Sequence, residues 1–142
     1  HVDVKKTLTE VKRVLKPGGR AAFWDPIAYN PAINVYRRMA TEVRTPDEHP
    51  LTMSDIKIMR GLFDQCRFQF SWLLALAVFV KMYVIDKVHP NDERYWKVIF
   101  EKEKKLSGFV RLASAIDRFL IAVFPPIRWL CWNVSCVLRK PL

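Results

Sequence analysis

Most of the residues suited to chemistry lie in one polar segment, residues 44–51 (RTPDEHPL), which contains two prolines. His49 is the best candidate for a general base, because imidazole is the side chain that exchanges protons near neutral pH. Asp25 and Asp47 are candidate partners that would orient its ring. A metal site built from His49, Asp47 and Glu48 is not expected, because their spacing matches no common ligand pattern. A structural interpretation stays open, in which Asp47 and His49 cap the next helix and Arg44 forms a local ion pair.

The elements that position Asp25 can be predicted from the preceding residues. Apolar residues recur at helical spacing over residues 3–16, which predicts an amphipathic helix with Asp3 as its N-cap. Residues 17–19 (PGG) should end it, since proline cannot continue a helix and glycine adopts the positive φ of a sharp turn. Residues 20–24 are mostly apolar, as expected of a strand covered on both faces. Ligands bind outside the carboxyl ends of the strands in an open α/β sheet, and Asp25 follows at that end.

The same helix, turn and strand carry a specific motif. Residues 10–20 (EVKRVLKPGGR), followed by a strand and then Asp25 and Pro26, resemble a segment of class I S-adenosylmethionine-dependent methyltransferases. In that family the segment joins the helix after the fourth strand to the fifth strand. Residues 1–3 (HVD) also resemble the end of the family's H-H-x-D segment, which leads into this helix. The resemblance implies S-adenosylmethionine as cofactor, with His1 on the cofactor-binding side and Asp25 as a candidate catalytic residue.

The resemblance also implies a fold class. It is α/β, namely the C-terminal half of a Rossmann-like seven-stranded methyltransferase sheet with an added helical lid and C-terminal helices. The glycine-rich loop that binds the amino-acid part of the cofactor in this family has no counterpart in the sequence, whose four glycines give no G-x-G pair. We therefore expect the C-terminal portion of a longer enzyme, which needs its upstream half to bind the cofactor and is inactive alone. The alternative is an intact small protein that reuses the half-fold.

After the first strand the chain is predicted to leave the sheet and form a lid. Asn30 followed by Pro31 is typical of a helix start, and helical spacing continues to about Val43. With the polar segment that ends at Leu51, this region is similar to a methyltransferase subgroup in which the insertion forms part of the acceptor pocket. That resemblance implies the following substrate-binding residues: Tyr29, Asn30, Asn34, Arg44, Asp47 and Glu48.

The remaining elements are predicted from helix-capping residues and from the alternation of apolar and polar residues. Thr52 or Ser54 can cap a helix that ends near Phe63, and residues 64–71 alternate as a sixth strand should. Residues 132–138 are predicted to be the last strand, which in the resemblance is the seventh and lies antiparallel beside the sixth. The predicted divisions are 1–26 (helix, turn and fifth strand), 27–51 (lid), 52–71 (helix and sixth strand), 72–128 (helical insertion) and 129–142 (final strand and tail).

Two apolar stretches lie in the helical insertion. Residues 72–80 carry no charge but are too short to span a bilayer, which needs roughly 20 apolar residues. They could form a core helix, a wall of the acceptor pocket or a segment at a membrane interface. A polar helix over 91–105 should break near residues 107–108, and 109–124 should form an amphipathic helix that ends at Pro125.

These stretches favour a methyl acceptor that is small and hydrophobic or lipid-like. The alternative is a non-enzymatic membrane-surface or partner-binding module that uses the basic amphipathic helices. The net charge of +10 favours anionic surfaces, but nucleic acid is not expected, since the aromatic residues fall in apolar runs. The three cysteines form no even framework and no C-x-x-C motif, which indicates a reducing compartment. We expect a cytoplasmic protein with peripheral membrane contact as a further hypothesis.

Overall fold

A computed structural model describes residues 3–39, 49–74, 81–89 and 103–142 of the chain. These residues form a mixed α/β structure with three strands and six helical segments. The strands are β1 (Arg20–Pro26), β2 (Gln65–Ser71) and β3 (Asn133–Arg139), and they make one antiparallel sheet in the order β1-β3-β2. The terminal strand is therefore the central one.

Both outer strands pair antiparallel with β3. Phe23 of β1 and Phe68 of β2 are both opposite Cys136, so β1 and β2 run in the same direction. Their carboxyl ends, Pro26 and Ser71, meet at the edge where β3 begins. The prediction that the last strand lies antiparallel beside the strand over 64–71 is confirmed. The described sheet as a whole is antiparallel, however, and does not resemble the parallel Rossmann sheet that was expected, because the chain re-enters between the two outer strands from their carboxyl ends.

Helix α1 spans Val4–Val14 and starts as predicted. The carboxylate of Asp3 accepts a hydrogen bond from the Lys6 N–H at 3.0 Å, which satisfies one of the free donors of the first turn. After the helix, Gly18 has a φ of +68°, the left-handed conformation that favours glycine. Its N–H donates to the Pro141 carbonyl at 3.0 Å, so the turn is bound to the C-terminal tail.

Helices α2 (Pro31–Met39) and α3 (Met53–Leu62) also begin at predicted caps. The predicted cap of α2, Asn30, accepts a hydrogen bond from the backbone in its first turn. Of the two candidate caps of α3, Thr52 is the one used: it forms a capping box with Asp55, in which each side chain accepts from the other's backbone N–H. Predictions for residues 40–48 and 75–80, and for most of the polar helix over 91–105, lie outside the described residues.

Helix α4 covers Glu103–Val123, between a π-helical turn at Lys81–Ile85 and a 3-10 helix at Pro125–Leu130. The predicted break near residues 107–108 is wrong, because the helix continues through Gly108. One glycine costs a helix interior only about 1 kcal/mol, which the rest of a long helix can offset. The predicted end at the proline pair is confirmed.

The apolar side of α4 faces solvent. Leu112, Phe119 and Val123 are each more than half exposed. The opposite side carries Asp117, which is buried and binds the backbone of residues 73–74 at the end of β2. A buried carboxylate needs such donors, and the N–H groups of Leu73 and Leu74 supply them just after Ser71, the last residue of β2.

The core lies between the sheet and helices α1 and α3. Among the described helices, none combines the length and apolar content that a membrane span requires. The buried core residues are Leu8, Ile27, Leu51, Met59, Phe63, Val134, Cys136 and Leu138.

Candidate functional site

A cavity of about 310 Å³ opens between α1, the end of β1, α3 and the segment before α3. It brings together Asp25 and His49, the two candidate catalytic residues named from the sequence. Ligand sites commonly have volumes of about 300 to 1,000 Å³, so this cavity suits a small molecule. Its lining residues are Val4, Thr7, Leu8, Phe23, Asp25, His49, Leu51 and Met59.

Asp25 lies next to the last residue of β1 and is opposite Val134 of β3. Partial burial raises the pKa of its carboxyl above the ordinary value. The protonated form is therefore more populated here than on an exposed carboxyl. The apolar lining of the cavity, from Phe23 and Met59 among others, is the physical cause.

His49 reaches the cavity because the segment before α3 pairs with the end of β1. Ile27 and Leu51 form a parallel bridge, in which the Leu51 N–H donates to the Pro26 carbonyl at 2.9 Å. The Nδ1 atom of His49 lies 3.4 Å from the Pro50 carbonyl oxygen. In the tautomer that donates to this oxygen, Nε2 is left as a proton acceptor.

Asp25 and His49 share the cavity but do not hydrogen-bond each other within the described part of the chain. The suggested orienting role of Asp25 toward the ring therefore stays a prediction. What the geometry provides is an imidazole and a partly buried carboxyl at one mostly apolar cavity. Such a pair can accept a proton from a bound hydroxyl, amine or acidic carbon and can hold a polar substituent.

Two predicted substrate-binding residues, Asn30 and Asn34, have structural partners instead. The Asn30 side chain is fully buried, accepts from the Ile33 N–H at 3.0 Å and donates to the Leu130 carbonyl. The Asn34 amide donates to the Ala28 carbonyl at 2.8 Å. Both residues lie outside the lining of the cavity, and their bonds hold α2 against the loop that follows β1.

Tyr29 also lies outside this lining. Its hydroxyl accepts a hydrogen bond from the Met53 N–H at 2.8 Å, and its ring packs edge-on against Trp129 at 5.6 Å. It thus joins the loop after β1 to the first turn of α3. The four remaining candidates, namely His1 for the cofactor and Arg44, Asp47 and Glu48 for the substrate, lie outside the described residues.

Sequence reasoning missed Thr7, which is the one hydroxyl-bearing side chain among the described residues that line the cavity. Its Oγ1 donates to the Asp3 carbonyl at 2.8 Å and so retains acceptor capacity. The available signal was its helical spacing, since Val4 and Leu8 of the predicted apolar face flank it. A polar residue on an otherwise apolar stripe is worth examining for this reason.

The cysteines do not supply a nucleophile to this site. Burial, with the nearby charge of Asp117, raises the pKa of Cys131 to about 12. Burial, then the charge of Asp25 and then Cys66, likewise raises the pKa of Cys136 to about 12. Both thiols stay protonated at neutral pH and are unreactive. Among the described residues there is also no group of three or more His, Cys, Asp or Glu able to hold a metal ion.

Comparison with known proteins found no match to this chain. No family model matches the sequence, and neither a curated protein nor a solved structure matches it. The functional conclusion therefore depends on the sequence motif and on the cavity.

Proposed function

We propose that this chain is the C-terminal part of an S-adenosylmethionine-dependent methyltransferase that acts on a small, hydrophobic or lipid-like acceptor. The observation that carries the proposal is the cavity that Asp25 and His49 share at the carboxyl end of β1. That is the edge of a sheet at which α/β enzymes bind their ligands. In the resemblance, Asp25 follows the motif of residues 10–20 at this position.

The arrangement of the strands supports the proposal. The resemblance implies a last strand that enters the sheet antiparallel, and β3 pairs antiparallel with both β1 and β2. The two outer strands run in one direction, as two strands of a parallel sheet would. The second edge of β1 faces away from β3, where further strands of a larger sheet can pair.

The residues present fit the acceptor side of such an enzyme. S-adenosylmethionine, when bound, supplies an electrophilic methyl group on a sulfonium. Methyl transfer is a direct displacement, so the protein mainly provides proximity, alignment and, for many acceptors, a base. We assign the base to His49, whose Nε2 accepts the proton that the acceptor loses. The apolar lining, including Leu8 and Phe23, favours an acceptor with a hydrophobic body.

The test is methyl transfer by the protein expressed from its complete gene. Tritiated methyl groups from S-adenosylmethionine are followed into an organic extract of the host cells. We expect transfer, and a loss of about 10²-fold or more in His49→Gln, the contribution typical of a general base. His89→Gln is the matched control, since His89 lies outside the cavity. Equal activity of the two variants would remove His49 from the mechanism.

A second candidate function is binding to a membrane surface without catalysis. The exposed apolar side of α4, with Leu112 and Phe119, favours it, and Arg111 and Arg118 flank that side and are exposed. Basic amphipathic helices with this pattern lie at lipid interfaces. Flotation with anionic and neutral liposomes separates the two functions: binding to anionic liposomes without methyl transfer favours the second, and transfer without flotation favours the first.

A further inference from the structure

A second cavity, of about 460 Å³, lies on the other side of α3 from the Asp25–His49 cavity. Met59 of α3 faces the first cavity, whereas Lys57 and Arg60 of the same helix line the second. We call the second one the basic cleft. It is lined by Met53, Ile56, Lys57, Arg60, Cys66, Arg67, Phe68, Phe70, Arg128 and Trp129.

The charge of the basic cleft is of one sign. Lys57, Arg60, Arg67 and Arg128 line it, and no aspartate or glutamate is among its described lining residues. Within the described part of the chain, none of these four cations forms an ion pair with a carboxylate. Four like charges around one cavity repel each other, and an anion between them removes that repulsion.

Aromatic rings hold two of the guanidinium groups in place. The Arg60 guanidinium lies 5.4 Å from the centre of the Phe68 ring, and that of Arg128 lies 5.6 Å from Phe70 and 5.5 Å from Trp129. Stacking of this kind occupies the flat face of a guanidinium and leaves the N–H groups at its edge for an acceptor.

One of these donors lacks an acceptor. The Nε of Arg128 is buried and has no hydrogen-bond partner among the described residues. A buried donor without a partner is costly, and such groups in native proteins usually have an explanation. A ligand oxygen in the cleft would satisfy it.

We propose that the basic cleft binds a phosphate monoester carried on an aromatic or other apolar group. The guanidinium edges of Arg60 and Arg128 take the phosphate, since planar guanidinium groups match its oxygens. Lys57 and Arg67, which are exposed, add charge at the mouth. The rings of Phe70 and Trp129 pack against the apolar group. A nucleotide and an acidic lipid headgroup both have this chemistry.

The experiment measures equilibrium binding by calorimetry with three probes on the full-length protein. They are adenosine 5′-monophosphate, inorganic phosphate and vesicles of phosphatidylcholine that contain phosphatidic acid. We expect saturable binding of the monophosphate or of the acidic vesicles, and whichever binds identifies the source of the phosphate. Inorganic phosphate should bind at least about tenfold more weakly, because it makes no contact with the rings.

The variants Arg60→Gln and Lys57→Gln test the site. Both side chains are exposed, so the fold should persist, as circular dichroism will verify. Arg60→Gln should weaken binding about tenfold, which is the effect of one charge-assisted hydrogen bond, and Lys57→Gln should weaken it less. Lys5→Gln, which removes an exposed charge on α1, should change the binding affinity less than about twofold.

Three results would overturn the proposal: no saturable binding of either organic probe, equal losses in Arg60→Gln and Lys5→Gln, or inorganic phosphate binding as tightly as the monophosphate. None of these readouts depends on S-adenosylmethionine. The basic cleft can therefore fail while the methyltransferase proposal stands, and the reverse is also true.

Discussion

The carboxylate of Asp117 in α4 accepts a hydrogen bond from the Leu73 N–H at 3.0 Å. Its second oxygen accepts one from the Leu74 N–H at 3.1 Å. These bonds connect the middle of a long helix to the residues that follow β2. They also fix the rotation of α4, so that its polar residue points inward and Phe119 points outward.

Replacing Asp117 by alanine should destabilise the protein by about 2 to 4 kcal/mol, because two backbone donors lose a charged acceptor and one of them is buried. Urea unfolding followed by circular dichroism measures this. Asp64→Ala is the control, since Asp64 is exposed and its side chain has no hydrogen-bond partner in the described part of the chain, whereas its backbone N–H donates to the Arg139 carbonyl. A loss in Asp117→Ala no larger than that of the control would contradict the account of α4.

Alanine should have opposite effects at Gly18 and Gly61. At Gly18, whose φ is +68°, a Cβ would lie 3.1 Å from the Leu142 side chain, so we expect a loss of about 1 kcal/mol or more. At Gly61, in α3, the added Cβ has no described atom within 4 Å apart from its chain neighbours and the adjoining helix backbone, so we expect a gain of about 0.5 to 1 kcal/mol. Thermal unfolding shows whether each variant is less or more stable than the wild type. Stability changes of the same sign in the two variants would contradict the turn geometry.

The capping box of α3 gives a second matched pair. Thr52→Ala should cost about 1 kcal/mol, since the Thr52 hydroxyl accepts from the Asp55 N–H and donates to its carboxylate at 2.7 Å. Ser54→Ala should stay within about 0.5 kcal/mol, because Ser54 is exposed and is not the cap. The denaturant midpoints of the two variants measure these losses. A larger loss of stability in Ser54→Ala than in Thr52→Ala would contradict the assigned cap.

The raised pKa of Asp25 predicts a pH dependence of stability. Below the ordinary value of 3.8 the carboxyl is protonated in both folded and unfolded states. Between that value and the folded-state pKa, the folded protein binds more protons, so the free energy of unfolding falls as pH rises. The Asp25→Asn variant has no carboxyl at this position, so its free energy of unfolding should not show this fall. The melting temperature of the variant minus that of the wild type should therefore increase from pH 3 to neutral pH; a constant or decreasing difference would contradict the burial of Asp25.

Local signals in the sequence sufficed for most elements. Asp3, the cap at Thr52 and the proline pair after α4 each act within one helical turn. Their side-chain or backbone chemistry fixes the boundaries without distant contacts. This is why these elements match the predictions to within a few residues.

Long-range contacts determined what could not be predicted. The sequence carried no signal for the bridge between Ile27 and Leu51, which lies next to His49, or for the hydrogen bond from the Asn30 amide to the Leu130 carbonyl. The basic cleft likewise assembles Arg60, Arg67 and Arg128 from three elements. No periodicity in the sequence predicts such long-range contacts, since they depend on which elements become neighbours in the fold.

We propose that this chain completes an S-adenosylmethionine site, and a calorimetric titration tests this proposal most directly. The protein is expressed from its complete gene and is titrated with S-adenosylmethionine. The account predicts saturable, one-to-one binding at concentrations below about 1 mM, the upper range of typical enzyme–substrate affinities. Absence of saturable binding by that full-length protein would contradict the account.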